Sequence, residues 1–342
     1  MSMKVAINGF GRIGRLVFRQ LMEDDEHDLE VVAINDVAPL DNLAYLLRHD
    51  SVQVRPDAEI TATDGAIQWD DREVEFLSVK DPAELPWTDR GVDLVIESSG
   101  VFTKREEAAK HLQAGADRVL ISAPAKGPDA TICMGINHQD YDPDEHKILS
   151  NASCTTNCLA PVAKVLDEAF GIETGILTTV HAVTASQAIV DAPHKKWRRG
   201  RSGMLNIVPT STGAAVATTE VLPHLKGKLD GMAMRVPVGT GSIIDFVAHT
   251  EQALGSPSNV NDAFRRAAAT DELRGILGVS DEELVSSDVI GSGYSSLVDA
   301  GMTMTLGDRT VKVLAWYDNE WGYAQRVVDL ANYVAQRTPQ RV

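Results

Sequence analysis

From its first residues the chain alternates short, almost wholly apolar runs with longer stretches in which apolar residues recur every three to four positions. The runs at 4–8, 29–35, 92–97, 118–122 and 147–150 predict β-strands. Between them, residues 13–22, 40–49 and 104–114 carry the period of helices. Strands apolar on both sides suit a parallel sheet covered on both faces. Their alternation with helices predicts an α/β, Rossmann-type doubly wound fold.

Beyond residue 150 the pattern changes. A helical stretch at 159–170 is followed by longer strand patterns at 175–183, 228–236, 242–250, 297–305 and 310–317. Residues 243–250 place polar positions on one side of the alternation, as in a sheet with one wetter face. The second half therefore predicts an α+β domain with a mixed or antiparallel sheet. A final helix at 323–336 carries Val327, Val328, Leu330, Ala331 and Val334, an apolar stripe expected to dock back on the first domain. The expected division is a first domain at 1–153, completed by 319–342, and a second domain at 154–318.

With 342 residues, 44% of them hydrophobic, the chain can bury a large core in each half. No apolar run approaches the roughly 18 residues that span a bilayer. The opening Met1-Ser2-Met3-Lys4 enters a strand pattern at once, so no signal peptide is expected. Three cysteines, Cys133, Cys154 and Cys158, are too few for a disulfide framework and suit a reducing, cytoplasmic location. A formal net charge of −17 disfavours nucleic acid and anionic membranes as partners. One segment runs against this acidity: residues 194–201 hold five of the 32 basic residues, a solvated loop or an anion site.

Gly9-Phe10-Gly11-Arg12-Ile13-Gly14 follows the first strand and opens the first helix. Glycines there allow a tight turn and close approach to a pyrophosphate, which the helix N-terminus favours. The second strand ends in Asn35-Asp36, and Asp36 lies 22 positions beyond Gly14, near the spacing of an acid that holds an adenine ribose. An Asp there repels a 2′-phosphate, so NAD is the expected cofactor.

Mid-chain stands Ser153-Cys154-Thr155-Thr156-Asn157-Cys158, between a strand and a helix. Backbone N–H groups and the helix dipole at such a junction stabilise a thiolate, the nucleophilic form of cysteine. Among nine histidines, His181 closes the apolar run 175–180 and is the best-placed base for Cys154. Cys158 lies one helical turn on and reads as a packing residue. With no clustered His/Cys spacing, a metal site is not expected. Anion grips are expected at Thr212-Gly213, before a helical run at 214–221, at Arg201, and at Arg235, a charge closing an apolar run.

Together these motifs resemble the phosphorylating glyceraldehyde-3-phosphate dehydrogenases along almost the whole chain. The resemblance rests on residues 6–15, the 153–158 hexapeptide, His181-Ala182-Val183-Thr184, Thr212-Gly213-Ala214-Ala215 and residues 316–323. It implies oxidation of D-glyceraldehyde 3-phosphate to 1,3-bisphosphoglycerate, with Cys154 as nucleophile and His181 as base. It implies a substrate-phosphate site at Thr184 and Arg235, and an inorganic-phosphate site at Ser153, Thr155, Thr212, Gly213 and Arg201. For the cofactor it implies Arg12 and Ile13 at the pyrophosphate and Asp36 at the ribose. Lys80 and Ser122 match further cofactor positions, with Asn319 at the nicotinamide carboxamide and Tyr323 beside it. It further implies a homotetramer whose S-shaped loop, residues 184–206, reaches a neighbouring subunit's cofactor.

Two departures from that pattern stand out. Many relatives read Thr-Pro-Asn-Val-Ser where this chain has Val238-Gly239-Thr240-Gly241-Ser242. Ala192-Pro193 replaces the Leu-Pro or Gly-Pro of NAD-specific relatives and leaves NADP use open. Erythrose-4-phosphate dehydrogenase is an alternative within the same chemistry. A nucleotide- or RNA-binding role is the alternative of another class, with the 194–201 segment as its one support.

Overall fold

In the computed structural model, which describes residues 2–24 and 26–338, the two halves form two units. The first comprises residues 1–133, 138–152 and 324–342, and the second residues 134–137 and 153–323. The last four residues of the expected 319–342 completion lie outside the described residues.

The first unit is built on one nine-stranded sheet. Its strands are β1 (Met3–Asn8), β2 (Leu29–Asn35), β3 (Ile60–Thr63), β4 (Ala66–Trp69), β5 (Arg72–Leu77), β6 (Leu94–Glu97), β7 (Arg118–Ile121), β8 (Ala130–Thr131) and β9 (Ile148–Ser150). The spatial order is β3-β4-β5-β2-β1-β6-β7-β9-β8, parallel from β5 onward. The crossover reverses direction on either side of β1, so β1 and β6 meet at the topological switch point, where doubly wound sheets open a ligand crevice. Helices α1 (Arg12–Glu23), α2 (Leu40–Arg48), α3 (Trp87–Arg90) and α4 (Arg105–Gln113) connect these strands.

The antiparallel meander β3-β4-β5 and the short α3 were not predicted. Two turns make the meander: Asp64-Gly65, with Gly65 at φ +82°, and Asp70-Asp71, with Asp70 at φ +52°. Left-handed turn residues between short alternating runs are a hairpin signal, but four-residue strands give it little length in which to show.

Beneath the switch point lies a buried polar network. Glu97, 1% exposed at the end of β6, accepts hydrogen bonds from Asn8 Nδ2 (2.5 Å), His111 Nε2 (3.0 Å), the Ser99 backbone N–H (2.8 Å) and the Ser99 hydroxyl. The Trp87 indole N–H donates to His111 Nδ1 at 3.0 Å, which leaves Nε2–H to face Glu97. Asn35 continues the network, donating to Asn8 Oδ1 (2.7 Å) and accepting from the Val79 N–H (2.9 Å). Every donor here converges on an acceptor, which is what makes polar burial tolerable. Glu97→Gln turns one acceptor oxygen into a donor facing donors. It should lower stability by about 2 kcal/mol or more and weaken NAD binding through the displaced Ser99 turn. Denaturant unfolding and NAD titration check both.

The second unit has an eight-stranded mixed sheet in the order β11-β12-β10-β13-β17-β15-β14, with β16 on β17. Its strands are β10 (Ile172–His181), β11 (Val208–Ser211), β12 (Leu229–Arg235), β13 (Ser242–Thr250), β14 (Leu277–Ser280), β15 (Ser296–Asp299), β16 (Met304–Leu306) and β17 (Thr310–Tyr317). Helix α5 (Cys154–Phe170) packs across β10, β13, β15 and β17, flanked by α6 (Ala214–Val221) and α7 (Pro257–Ala268). Gly175, Leu177, Thr179 and His181 of β10 point to the buried face, while Ile176 (65% exposed), Met232 on β12 and Val247 on β13 face outward. The chain closes with α8 (Trp321–Arg337), which belongs to the first unit from Ala324 onward. There Asn332 accepts the Asp28 N–H (3.0 Å), and Tyr333 packs edge-on against His138.

Three readings of the second half are corrected. The expected strand at 297–305 is interrupted: the Asp299 carboxylate accepts the Met302 N–H (3.2 Å) and, with Gly301 in the bend, turns the chain before β16. Helix α5 begins at Cys154, not at 159, because Ser153 caps it. Helix α7 was missed, although Ser256 caps it and Pro257 opens it, the ordinary start signals of a helix.

Candidate active site

Cys154 is the first residue of α5. The Ser153 hydroxyl accepts the Thr156 N–H at 3.0 Å and caps the helix. The N–H groups of the first turn and the positive end of the helix therefore surround the Cys154 thiol. Cys154 is half-buried, whereas Cys158 and Cys133 are fully buried. The Cys158 sulfur lies 3.7 Å from the Ser296 hydroxyl, and burial pushes its thiol far above the ordinary range.

The partner of the thiol comes from strand register. β10 and β12 run parallel with His181 opposite Arg235, so the two strand ends deliver an imidazole and a guanidinium side by side. His181 Nε2 lies 3.5 Å from Cys154 Sγ. Its Nδ1 lies 2.7 Å from both the Ala182 carbonyl oxygen and Arg235 Nη1, and Nη1 also donates to that carbonyl at 3.0 Å. Burial, seconded by the Arg235 charge, pushes the His181 imidazole down to about 3. Burial raises the Cys154 thiol, against the opposing pull of Arg235. At 3.5 Å the thiol and the imidazole are within reach of one proton exchange when sulfur forms a bond.

Tyr317, at the end of β17, ties this corner together. Its hydroxyl meets Thr155 Oγ1 (3.0 Å) and Thr179 Oγ1 (2.9 Å), and burial holds its pKa far above the usual phenol value. Its ring stands edge-on to His181.

A cavity of about 230 Å³ opens beside the pair. Thr155, Thr212, Gly213, His181 and Arg235, all singled out from sequence, line it. Arg201 does not. Its guanidinium projects to Asp191 at 2.7 Å and is largely exposed. Lys196 and Arg199, from the same basic segment, line the cavity instead, held by Ser211 (2.8 Å) and Thr210 (3.0 Å). Nothing in the spacing of the basic run distinguishes these cations; the loop's path decides. Thr184 bonds Ser186 at 2.9 Å and is outside the lining set, and Ser153 serves as the cap. Among the described residues lining the cavity none is acidic, so it is built for an anion.

In the first unit a cleft of about 770 Å³ lies at the switch point, lined by Gly9, Gly11, Asp36, Lys80, Ser98 and Ser99 among others. Gly9 sits at φ +91°, and a Cβ there would fall 2.3 Å from Ser99 N; one on Gly14 would fall 2.1 Å from the Gly9 oxygen. Gly11, which caps α1, has open space where a Cβ would stand. The glycines thus close the loop on one side and leave it bare on the other, the fit a pyrophosphate needs. Asp36 is fixed by the N–H groups of Phe10 (2.6 Å) and Ala38 (2.9 Å). Arg12 turns its side chain to Asp50 (2.5 Å), leaving its backbone and that of Ile13 in the first turn of α1. The Ser122 hydroxyl meets Ser98 Oγ at 3.0 Å.

Asn319 and Tyr323 belong to the second unit, both buried. Asn319 Oδ1 accepts from the Ser242 hydroxyl (2.7 Å), which itself accepts the Ala182 N–H (3.1 Å). This sets the Asn319 amide with Nδ2 as its available donor. Thr240 donates to Asp318 at 2.8 Å, so the departing segment 238–242 organises the start of α8. Neither Ser242, Thr240 nor Tyr317 was foreseen as a site residue, because contacts across β13 and β17 depend on register.

A dinucleotide cradle and a thiol–imidazole pair in one chain mark the thiol-dependent, dinucleotide-using dehydrogenases. The comparisons narrow the class. Residues 3–105 match the glyceraldehyde 3-phosphate dehydrogenase NAD binding domain, and residues 153–319 match the C-terminal domain of the same family. The chain is 54% identical to the glyceraldehyde-3-phosphate dehydrogenase of Geobacillus stearothermophilus, over 98% of this chain and 99% of that one. It is 51% identical to the Streptomyces coelicolor enzyme of that name, over 98% of this chain and all of that one. This chain belongs to the glyceraldehyde 3-phosphate dehydrogenase family.

The burial pattern predicts selective labelling. Iodoacetamide should modify one thiol per folded chain, at Cys154, and none in Cys154→Ser, with the other two reacting only after unfolding. Intact-mass spectrometry reads the count.

Proposed function

We propose that the chain oxidises D-glyceraldehyde 3-phosphate to 1,3-bisphosphoglycerate with NAD and inorganic phosphate. The observation that carries this reading is the Cys154 sulfur 3.5 Å from His181 Nε2, beside the cationic cavity that Arg235 lines.

Cys154 Sγ forms a bond to the aldehyde carbon, the carbonyl electron pair moves to oxygen, and the thiol proton passes to His181 Nε2. The resulting oxyanion is within the field of the imidazolium and the first-turn N–H groups of α5. The hemithioacetal carbon would lose its hydride to NAD, the chemistry the cofactor would supply when held at Gly9, Gly11 and Gly14, and a thioester would remain on Cys154. A phosphate oxygen attacks the thioester carbon, the C–S bond breaks, and the departing sulfur recovers the proton held by His181. Arg235 with Thr184, and Ser153, Thr155, Thr212 and Gly213, serve the two phosphates, with Arg199 and Lys196 taking the place expected of Arg201.

The cleft beside Gly9, Gly11 and Gly14 holds the cofactor, with Asp36 toward the adenine ribose, Arg12 and Ile13 at the pyrophosphate, and Lys80 and Ser122 nearby. Asn319 Nδ2 is the donor for the nicotinamide carboxamide, with Tyr323 beside it. The enzyme works as a homotetramer in the cytoplasm. The outward apolar residues Ile176, Met232 and Val247 support the assembly, as do Ile189, Val190 and Leu205 in the loop 184–206, each at least 74% exposed in the single chain.

Phosphate-dependent NADH formation from glyceraldehyde 3-phosphate tests the reading. Absence of turnover with this aldehyde would refute it. Cys154→Ser should reduce kcat by at least about 10⁴-fold, and His181→Asn by roughly 10²–10⁴-fold. Asp36→Asn keeps an acceptor for Phe10 and removes the charge. It should raise the NADP-to-NAD ratio of kcat/KM roughly 5–10-fold, the size of one lost like-charge contact.

A further inference from the structure

Three hydroxyls stand in a row behind the cationic cavity. The Tyr317 hydroxyl lies 3.0 Å from Thr155 Oγ1 and 2.9 Å from Thr179 Oγ1, and Thr179 Oγ1 lies 3.5 Å from the Ile243 carbonyl oxygen. Thr155 and Thr179 line the cavity with Lys196, Arg199 and Arg235, whereas Tyr317, 2% exposed, is outside the lining. A hydroxyl donates one proton and accepts on its lone pairs, so the row can run in two directions. Inward, Thr155 donates to Tyr317, Tyr317 to Thr179 and Thr179 to Ile243. Every proton then has an acceptor, but Thr155 offers the cavity only lone pairs. Outward, Thr179 donates to Tyr317 and Tyr317 to Thr155, and the Thr155 proton is free for a ligand.

The two directions contain the same number of hydrogen bonds once an anion is present, so reversal costs little. The inward row ends weakly, because 3.5 Å is long for an O–H···O bond, whose usual separation is about 2.7–2.8 Å. The outward row ends on a charged acceptor, which makes the stronger bond. A hydroxyl that itself accepts a hydrogen bond also donates more strongly, so Tyr317 reinforces Thr155. Thr155 and Thr179 are buried as well, and the row is their supply of partners.

We propose that Tyr317 is a positioning residue for inorganic phosphate, acting through the direction of the Thr155 hydroxyl. Without an anion the row runs inward to Ile243. When phosphate enters, the three hydroxyls turn together, and Thr155 donates to a phosphate oxygen while it accepts from Tyr317. Each proton stays on its own oxygen, so no bond to hydrogen breaks and no charge moves. The attack of phosphate on the thioester thus depends on a phenol that does not line the cavity. The inference rests on the reading of this cavity as a phosphate site.

Tyr317→Phe keeps the ring that stands edge-on to His181 and removes only the hydroxyl. Calorimetric titration with inorganic phosphate should show Kd raised about fivefold, the size of one hydrogen bond. The KM for phosphate should rise by the same factor, with a smaller effect on the single-turnover rate of NADH formation measured without phosphate. Thr155→Val should weaken phosphate binding at least about as much. The double variant Thr155→Val/Tyr317→Phe should be no weaker than Thr155→Val alone, because Tyr317 acts only through Thr155. A purely structural tyrosine would instead weaken Thr155→Val further. An unchanged Kd in Tyr317→Phe, or additive effects in the double variant, would overturn the proposal. Where Tyr317→Phe does not fold, NMR of the ¹³Cζ-tyrosine-labelled wild type carries the test. Saturating phosphate should shift one tyrosine signal, and the shift should be lost in Thr155→Val; a signal that does not move overturns the reversal. Turnover of glyceraldehyde 3-phosphate by the wild type shows separately whether the proposed function stands.

Discussion

The chemistry of the second unit depends on one backbone constraint, the parallel pairing of β10 and β12 in a register that sets His181 against Arg235. Side chains alternate strictly along a strand, so a slip of one residue would send the imidazole to the outward face with Ile176 and Thr178. Several features hold that register. The Gly175 Cα packs where a Cβ would come within 2.5 Å of Phe246, and a Cβ on Gly231 would come within 2.5 Å of the Leu177 oxygen. These glycines are absences that let neighbouring strands and the core close, and the histidine inherits its position from them.

A comparable logic governs the first unit, where the Glu97 network rather than a strand register sets the position. Glu97 gathers Asn8, His111 and Ser99, and through Asn8 reaches Asn35, so the ends of β1, β2 and β6 and the helix α4 share one set of hydrogen bonds. The glycine loop rests directly on Ser99. Affinity for a cofactor then depends also on Glu97 and His111, which lie outside the cleft lining, and the network is buried because only a dry carboxylate can hold so many donors firmly.

The elements with long, strongly patterned runs were legible in the sequence. Strand 29–35 and strands 242–250 and 310–317 match β2, β13 and β17 to the residue, and the apolar character of β1, β6, β7 and β9 carried the parallel sheet. What escaped was short or decided by tertiary geometry. The β3–β5 meander and α3 have four to six residues each in which to reveal a period. Asp299 ends a strand by an accepted hydrogen bond that no apolar pattern records. At the site, residues that act through their local element were readable: Cys154 at a helix start, the glycines of the loop, Asp36 at a strand end. Those that act through a fold-long path were not. Arg199 and Arg201 are two positions apart in one basic run, and only the course of the loop sends one into the cavity and the other to Asp191. Tyr317, Ser242 and Thr240 reach the site across strand neighbours remote in sequence.

The cationic cavity has a further meaning in a chain whose net charge is −17. A phosphorylated aldehyde, inorganic phosphate and a bisphosphorylated product are all anions approaching an anionic surface. The long-range field opposes their arrival and speeds their departure, while Lys196, Arg199 and Arg235 attract only what has come within a few ångströms. Affinity is thus confined to the last step of approach. The cavity, at about 230 Å³, has room for small anions only. It also releases its most highly charged ligand, the product, down the steepest gradient.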